Sequence, residues 1–229
     1  MPHLSEEIVA AHFAPLTSDD RKRILRNMTQ TVSGSFSSLL EDASLPWQNM
    51  RELEALSLFE LDHRVDAIEM RPERVTVSVG DQAVTRIPAF RLRSGTSVAV
   101  IDVLPDTRVA DPERGALTGA LKRAYAMRGI KYEVLRHADV RAEPRLRNAR
   151  RVLRGRRYEP ELETELAVIS VLSFGSGHSV GSVVAAVPNH VNVREVVYSL
   201  AARHRVAIDL WAHRPEDMAV RLAPSGGRR

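Results

Sequence analysis

The sequence predicts an α/β fold in two parts: a core built on a mixed sheet and, after it, a mainly helical module. Three observations predict it. Val98 to Leu104 is an almost unbroken run of Val, Ile and Leu bounded by turn residues, the pattern of a strand buried on both faces. Around that run the elements follow as helix, three strands, helix, strand, an order that builds a mixed sheet with helices against it. Beyond Tyr158 the composition changes to three helical stretches closed by two short strands.

Residues 1–45 read as an N-terminal arm with helical pieces. Residues 1–16 are a short lead with a helical turn or two after Ser5. Ser18 caps a helix to about Asn27, with Asp19 and Asp20 at its positive end. Residues 29–45, rich in Ser and Thr and containing Gly34, read as a loop. The core, residues 46–140, opens with a helix from Pro46 to about Asp62. Proline suits its first turn, and Leu53, Leu56, Leu58, Phe59 and Leu61 give it a broad apolar face. Strands follow at Val75–Val79, Val84–Arg93 and Thr96–Leu104, joined by turns at Gly80-Asp81 and Ser94-Gly95. Asp111 opens a helix that stops at Gly129, and Ile130–Leu135 is a fourth strand.

Residues 141–157, RAEPRLRNARRVLRGRR, connect the two parts and hold eight arginines against one acid, Glu143. Residues 158–224 contain helices at Pro160–Ser173, Ser179–Val187 and Val191–His204, then strands at Val206–Leu210 and Met218–Leu222. Three helices and a hairpin in so short a segment predict a winged-helix-like module. Residues 225–229 are a tail.

The 229 residues are 44% hydrophobic and 27% charged, enough for one large domain or two small ones. Cysteine is absent, which excludes disulfide frameworks and thiolate zinc sites and fits a reducing compartment. No apolar run approaches the roughly 18 residues of a membrane span, and MPHLSEEIVA lacks a signal-peptide pattern, so a cytoplasmic protein is expected. The formal net charge is +4 and the pI about 9.8. Only Lys22, Lys122 and Lys131 among the 33 basic residues are not arginine. A GC-rich genome explains the preference for arginine. It does not explain the clustering.

Two features carry chemistry. Asp102 is the one charge in the apolar run, and a carboxylate so buried costs several kcal/mol unless it is paired or bound to a cation. A metal site or a DNA-facing site at the strand end is one explanation. The arginine-rich connector is the other feature. Arg145, Arg147, Arg150, Arg151, Arg154, Arg156 and Arg157, with Asn148 among them, are the expected contacts to duplex phosphates. A solvated helix face or linker is the plain alternative. Val191–His204 is the candidate recognition helix, with Asn192, Arg194 and Tyr198 towards its start, and docking on another protein is the competing reading. Gly175 to Gly181, GSGHSVG, lies between helices and reads as a loop rather than a dinucleotide site. The scattered histidines make no zinc site.

These pieces, in this order, resemble the TnsA family, the endonuclease subunit of two-part bacterial transposases. That family has a PD-(D/E)XK, restriction-endonuclease-like core followed by a winged-helix-like domain. Leu53-Glu54 falls where the family has its helical Glu, and Arg71-Pro72 resembles the short proline signature after it. Pro88-Ala89-Phe90 matches Pro-Asp-Phe with Ala in place of Asp, and Asp102-Val103-Leu104 matches acid-x-Lys with Leu in place of Lys. Gly129, Pro144 and Asn148 follow the downstream pattern, and Arg205 to Leu210 looks like the strand after the family's last helix. The resemblance spans about residues 46 to 222.

The resemblance implies duplex DNA, a DDE-type transposase subunit and an AAA+ ATPase regulator as partners, in the bacterial cytoplasm at the nucleoid. For an active enzyme it implies Mg²⁺ held by Glu54 and Asp102, with Lys122 on the following helix replacing the missing lysine. Against that, Ala89 cannot ligate a metal and Leu104 cannot supply charge, so a degenerate core serving as a DNA clamp is the expectation. For Glu54, an ordinary surface glutamate is the other reading.

Overall fold

The computed structural model describes residues 11–17, 19–20, 32–79, 81–175 and 177–224. From the N-terminus, strand β1 (Ala11–Pro15) precedes a hairpin of β2 (Gly34–Ser38) and β3 (Ala43–Trp47), and helix α1 (Met50–Phe59) follows. Strands β4 (Ala67–Met70), β5 (Glu73–Val79), β6 (Gln82–Arg86), β7 (Phe90–Ser94) and β8 (Ser97–Leu104) lead to α2 (Pro112–Ala126). Then come β9 (Lys131–Arg136) and α3 (Arg145–Arg154). The C-terminal part holds α4 (Leu162–Ser173), β10 (His178–Ser179), α5 (Val180–Ala186), α6 (Val193–Ala202), β11 (Val206–Ile208) and β12 (Ala219–Leu222). The α/β class and the mixed sheet are as the sequence predicts.

The mixed sheet runs β4–β7–β8–β9, antiparallel except that β8 and β9 are parallel with Asp102 opposite Val134. Side chains alternate along β8, so Val100, Asp102 and Leu104 share one face and Ile101 and Val103 the other. Val100 packs with Leu117, Ala120, Leu121, Ala124 and Tyr125, the apolar stripe of α2. Ile101 and Val103 join a larger cluster with Ala55, Leu56 and Leu58 of α1. Helix α2 starts where expected, the Asp111 side chain accepting from the Glu113 N–H, and Gly129 turns the chain into β9 at φ +67°.

Several expectations need correction. Residues 11–15 are a strand paired with β5, not part of a helical lead. The expected helix from Ser18 falls mostly outside the described residues, although Asp19 and Asp20 are helical. Residues 34–47 form the β2–β3 hairpin rather than a loop, because Phe36 and Ser38 alternate inward on one strand and Leu45 and Trp47 on the other. Pro46 therefore lies in a strand, and the helix begins at Met50 with the Asn49 side chain accepting from the Glu52 N–H. The single strand expected over Val84–Arg93 breaks at Ile87–Ala89, β6 pairing with β5 and β7 with β4 and β8. Gly80 and residues 225–229 lie outside the described residues.

In the C-terminal part the small sheet runs β10–β12–β11. Its helices share the large apolar cluster with α1 and the mixed sheet, through Val152 and Leu153 of α3, Val168 of α4, Val183 of α5 and Val196 and Leu200 of α6. The tightest approach is at Gly155, where an added Cβ would meet the Tyr198 Cβ at 2.5 Å and the Ser199 nitrogen at 2.9 Å. Only glycine fits there. No helix among the described residues is long and apolar enough to cross a membrane.

Candidate functional site

Asp102 is 2% exposed and both its oxygens accept from protein donors. Its Oδ1 accepts the Ala89 backbone N–H at 3.0 Å. Its Oδ2 accepts Arg86 Nε at 3.0 Å and the Tyr132 hydroxyl at 2.8 Å. The metal or DNA-facing role expected for this carboxylate gives way to an internal cation, since Arg86 supplies the counter-charge that burial requires. Burial alone would depress the Arg86 guanidinium, but the Asp102 charge and hydrogen bond raise it above its ordinary value. Burial and the Asp102 charge push the Tyr132 phenol up, which keeps it a donor. Its ring stacks on Tyr125 at 5.5 Å.

A second pair lies close by. Arg71, 4% exposed and in the left-handed region at φ +49°, donates to Glu52 Oε2 at 2.7 Å and to the Pro46 carbonyl at 2.9 Å. Burial lowers the Arg71 guanidinium below its usual range, with Glu52 opposing. Glu52 also accepts the Gln48 N–H at 2.8 Å, and its charge reaches Arg86. Glu73 in turn binds Arg91 at 2.7 Å and Arg128 at 2.8 Å. The interior around Asp102 is thus a set of matched charges.

Glu54 is 4% exposed, so it is not a surface glutamate. One oxygen takes Arg150 at 2.7 Å and the other His137 Nε2 at 2.7 Å, with Arg141 at 3.7 Å. These bonds tie α1 to α3 and to the helical turn His137–Val140. Glu54 and Asp102 share no hydrogen-bond partner. Mg²⁺ takes carboxylate oxygens as ligands, and a guanidinium bonded to the same oxygen competes with it. Here both carboxylates are engaged, Ala89 and Leu104 are buried apolar residues, and a guanidinium lies against Asp102. Paired in this way, these residues do not fit Mg²⁺. Among the described residues no group of three or more His, Asp or Glu side chains could hold a metal. Lys122 is exposed on α2, away from the stripe of Leu121, Ala124 and Tyr125 that covers the sheet, so it does not take the place of a strand lysine.

The arginine-rich segment is mostly helix α3, followed by a 3-10 turn at Gly155–Arg157. Its buried line is Leu146, Asn148, Ala149, Val152 and Leu153. Arg147, Arg150, Arg151 and Arg154 fall at i, i+3, i+4 and i+7 and make one basic stripe on the other side. Asn148, expected at DNA, is fully buried instead. Its amide donates to the Leu210 carbonyl at 2.9 Å and the Ala212 carbonyl at 2.8 Å, because a polar side chain on the apolar line must find partners inside.

Most arginines of the segment have partners within the chain, among them Arg147 with Glu143 at 3.8 Å and Arg151 with the Asn148 side-chain oxygen at 3.3 Å. Arg150 binds Glu54, Arg156 donates to the Ser37 carbonyl at 3.0 Å over the Phe36 ring, and Arg145 lies over the Trp211 ring. Arg154 and Arg157 are exposed with no ion pair among the described residues. On α6, Asn192 and Arg194 are exposed at the helix start, with Asn192 at φ +57°. Tyr198, expected to face outward, is 5% exposed. Burial pushes its phenol up, while the charges of Arg194 on α6 and Arg151 on α3 pull it down.

Arg86, Glu52 and Tyr132 escaped sequence reasoning, and Arg71 entered it only through the Arg71-Pro72 signature, since no spacing rule links these residues to Asp102 or to each other. Trp211 also escaped, although an aromatic residue in the connection between two short strands is a signal that could have marked it. No protein-family model matches the chain, and no curated protein matches it in sequence.

Proposed function

We propose that the chain is a duplex-DNA-binding protein of TnsA-like architecture, working in transposition or a related mobile-element process at the nucleoid. Its restriction-endonuclease-like core serves as a clamp and scaffold rather than as a Mg²⁺-dependent catalyst. The observation that carries this is the pairing of Asp102 with Arg86, which fills the acidic position with an internal cation, beside a helix that turns an arginine stripe outward. The order α1, β4, β7, β8, α2, β9, with β8 and β9 parallel, supports the nuclease-like core. The order helix, strand, helix, helix, strand, strand, with its sheet running β10–β12–β11, supports the winged-helix-like module. A second reading, that the C-terminal part docks a DDE-type transposase subunit or an AAA+ ATPase, is favoured by Leu162, Leu166 and Phe174, which stand 70%, 59% and 79% exposed.

Duplex affinity measured from about 50 to about 200 mM salt tests the first reading. Replacing Arg147, Arg151, Arg154 and Arg157 together with glutamine flattens the log–log salt slope by about 3 to 4 and cuts affinity by on the order of a thousandfold near 0.1 M salt. A slope unchanged by the four substitutions rejects the stripe as the DNA contact. Supercoiled plasmid with Mg²⁺ stays uncut by the unaltered protein. Cutting that disappears in Asp102→Ala would return the core to the enzymes.

A further inference from the structure

A groove crosses the C-terminal part from Trp211 to His178. Its first stretch, about 270 Å³, is lined by Trp211, Arg145 and Arg221, with His63 and Arg64 entering from the loop after α1. A second stretch of about 470 Å³ continues past His63 and Arg221 to His178. The two stretches share His63, Ile208, Asp209 and Arg221, so they adjoin.

The track is weakly basic, with Arg64, Arg145 and Arg221 lining it against Asp62 and Asp209. Asp62 neutralises Arg64 through bonds of 2.8 and 2.6 Å, and Asp209 accepts the Trp211 backbone N–H at 3.0 Å. Arg145 and Arg221 have no ion pair among the described residues. Arg145 is half-buried all the same, with burial lowering its guanidinium from the ordinary value, and its head lies 5.7 Å from the centre of the Trp211 ring. Asp62 acts on Arg145 through space, but its hydrogen bonds go to Arg64, so the Arg145 guanidinium keeps donors for an anion from outside.

Trp211 is a built platform. It is 53% exposed, whereas the other tryptophan, Trp47, is 8% exposed. The buried amide of Asn148 grips the carbonyls on either side of it, those of Leu210 and Ala212. One fully buried side chain therefore holds an indole half in solvent, beside Arg145 and at the head of a basic track. Preset aromatic faces beside backbone-tracking cations are how unpaired strands are bound, since any base offers a face to stack. Paired bases within a duplex are already stacked on both faces.

We infer that this groove binds a short unpaired strand of nucleic acid, with one base stacked on Trp211 and the adjoining phosphates along Arg145 and Arg221. The inference goes beyond duplex binding and does not rest on the arginine stripe. The full chain is titrated by fluorescence anisotropy against oligo-dT and oligo-U of roughly 12 nucleotides and against a blunt duplex. Trp211→Ala lowers affinity for the single strands by roughly ten- to a hundredfold, Trp211→Phe restores most of it, and duplex affinity stays within about twofold. The ranking of oligo-dT and oligo-U tells which strand is the better ligand, and either order fits. Single-strand affinity unmoved by Trp211→Ala overturns the inference, as does an equal loss on the duplex or no rescue by phenylalanine. Strand binding that depends on Trp211, without duplex binding, rejects the duplex function and leaves the groove standing. Duplex binding with no single-strand binding does the reverse.

Discussion

Arginine is used in opposite ways in two neighbouring regions of this molecule. Around Asp102, Arg71 and Arg86 each meet a carboxylate at 2.7 to 3.0 Å. Along α3, a run of arginines faces outward with Glu143, 3.8 Å from Arg147, and Glu54 as its partners. The difference teaches that a basic residue is interpreted by the carboxylates within its reach, not by its charge. Inside, desolvation consumes much of the Coulomb gain, so Arg86–Asp102 fixes geometry more than it adds stability. Outside, unmatched charge repels itself, and the proposed duplex contact would offset that repulsion.

The comparison can be broken most directly at Arg86. Arg86→Met leaves Asp102 buried without its cation and lowers unfolding free energy in denaturant by about 3 kcal/mol, most of which a further Asp102→Asn recovers. If Arg86→Met is neutral, the two regions do not differ as argued. A middle-sized effect belongs to Asn148, the polar residue on the buried line of the same basic helix. Asn148→Ala frees two carbonyls and costs about 1 to 2 kcal/mol in the same titration. The smallest effect sharpens the contrast. Arg154→Gln, on the open stripe, changes stability by less than about 0.5 kcal/mol in thermal or denaturant melts.

Much of the fold was legible because local signals and packing agree. Asp111-Pro112 at one end and Gly129 at the other bracket α2, and the apolar run of β8 sits in the mixed sheet as its composition demands. The β2–β3 hairpin was hidden by its serines. Ser38 is buried only because its hydroxyl donates to Glu60, 2.7 Å away and twenty-two residues on. The break at Ile87–Ala89 was equally hidden, since a chain that changes sheets keeps the same strand-like composition throughout. At the site, Asp102 announced that it needed a partner, but the identity of Arg86 depends on where β6 ends beside β8, a tertiary fact. Asn148 was readable in principle. Its neighbours Leu146, Ala149, Val152 and Leu153 already trace the inward line, and the surrounding arginines drew attention away from it.

The close seating of Gly155 on Tyr198 has a consequence for heredity. A chain that exchanged its C-terminal module by recombination near residue 157 would inherit a helix whose Val152 and Leu153 had lost their cover. The incoming module would need a groove that accepts bare backbone at one point. A chain shuffled at that junction is therefore expected to fold less stably unless the incoming module also leaves room for bare backbone at residue 155.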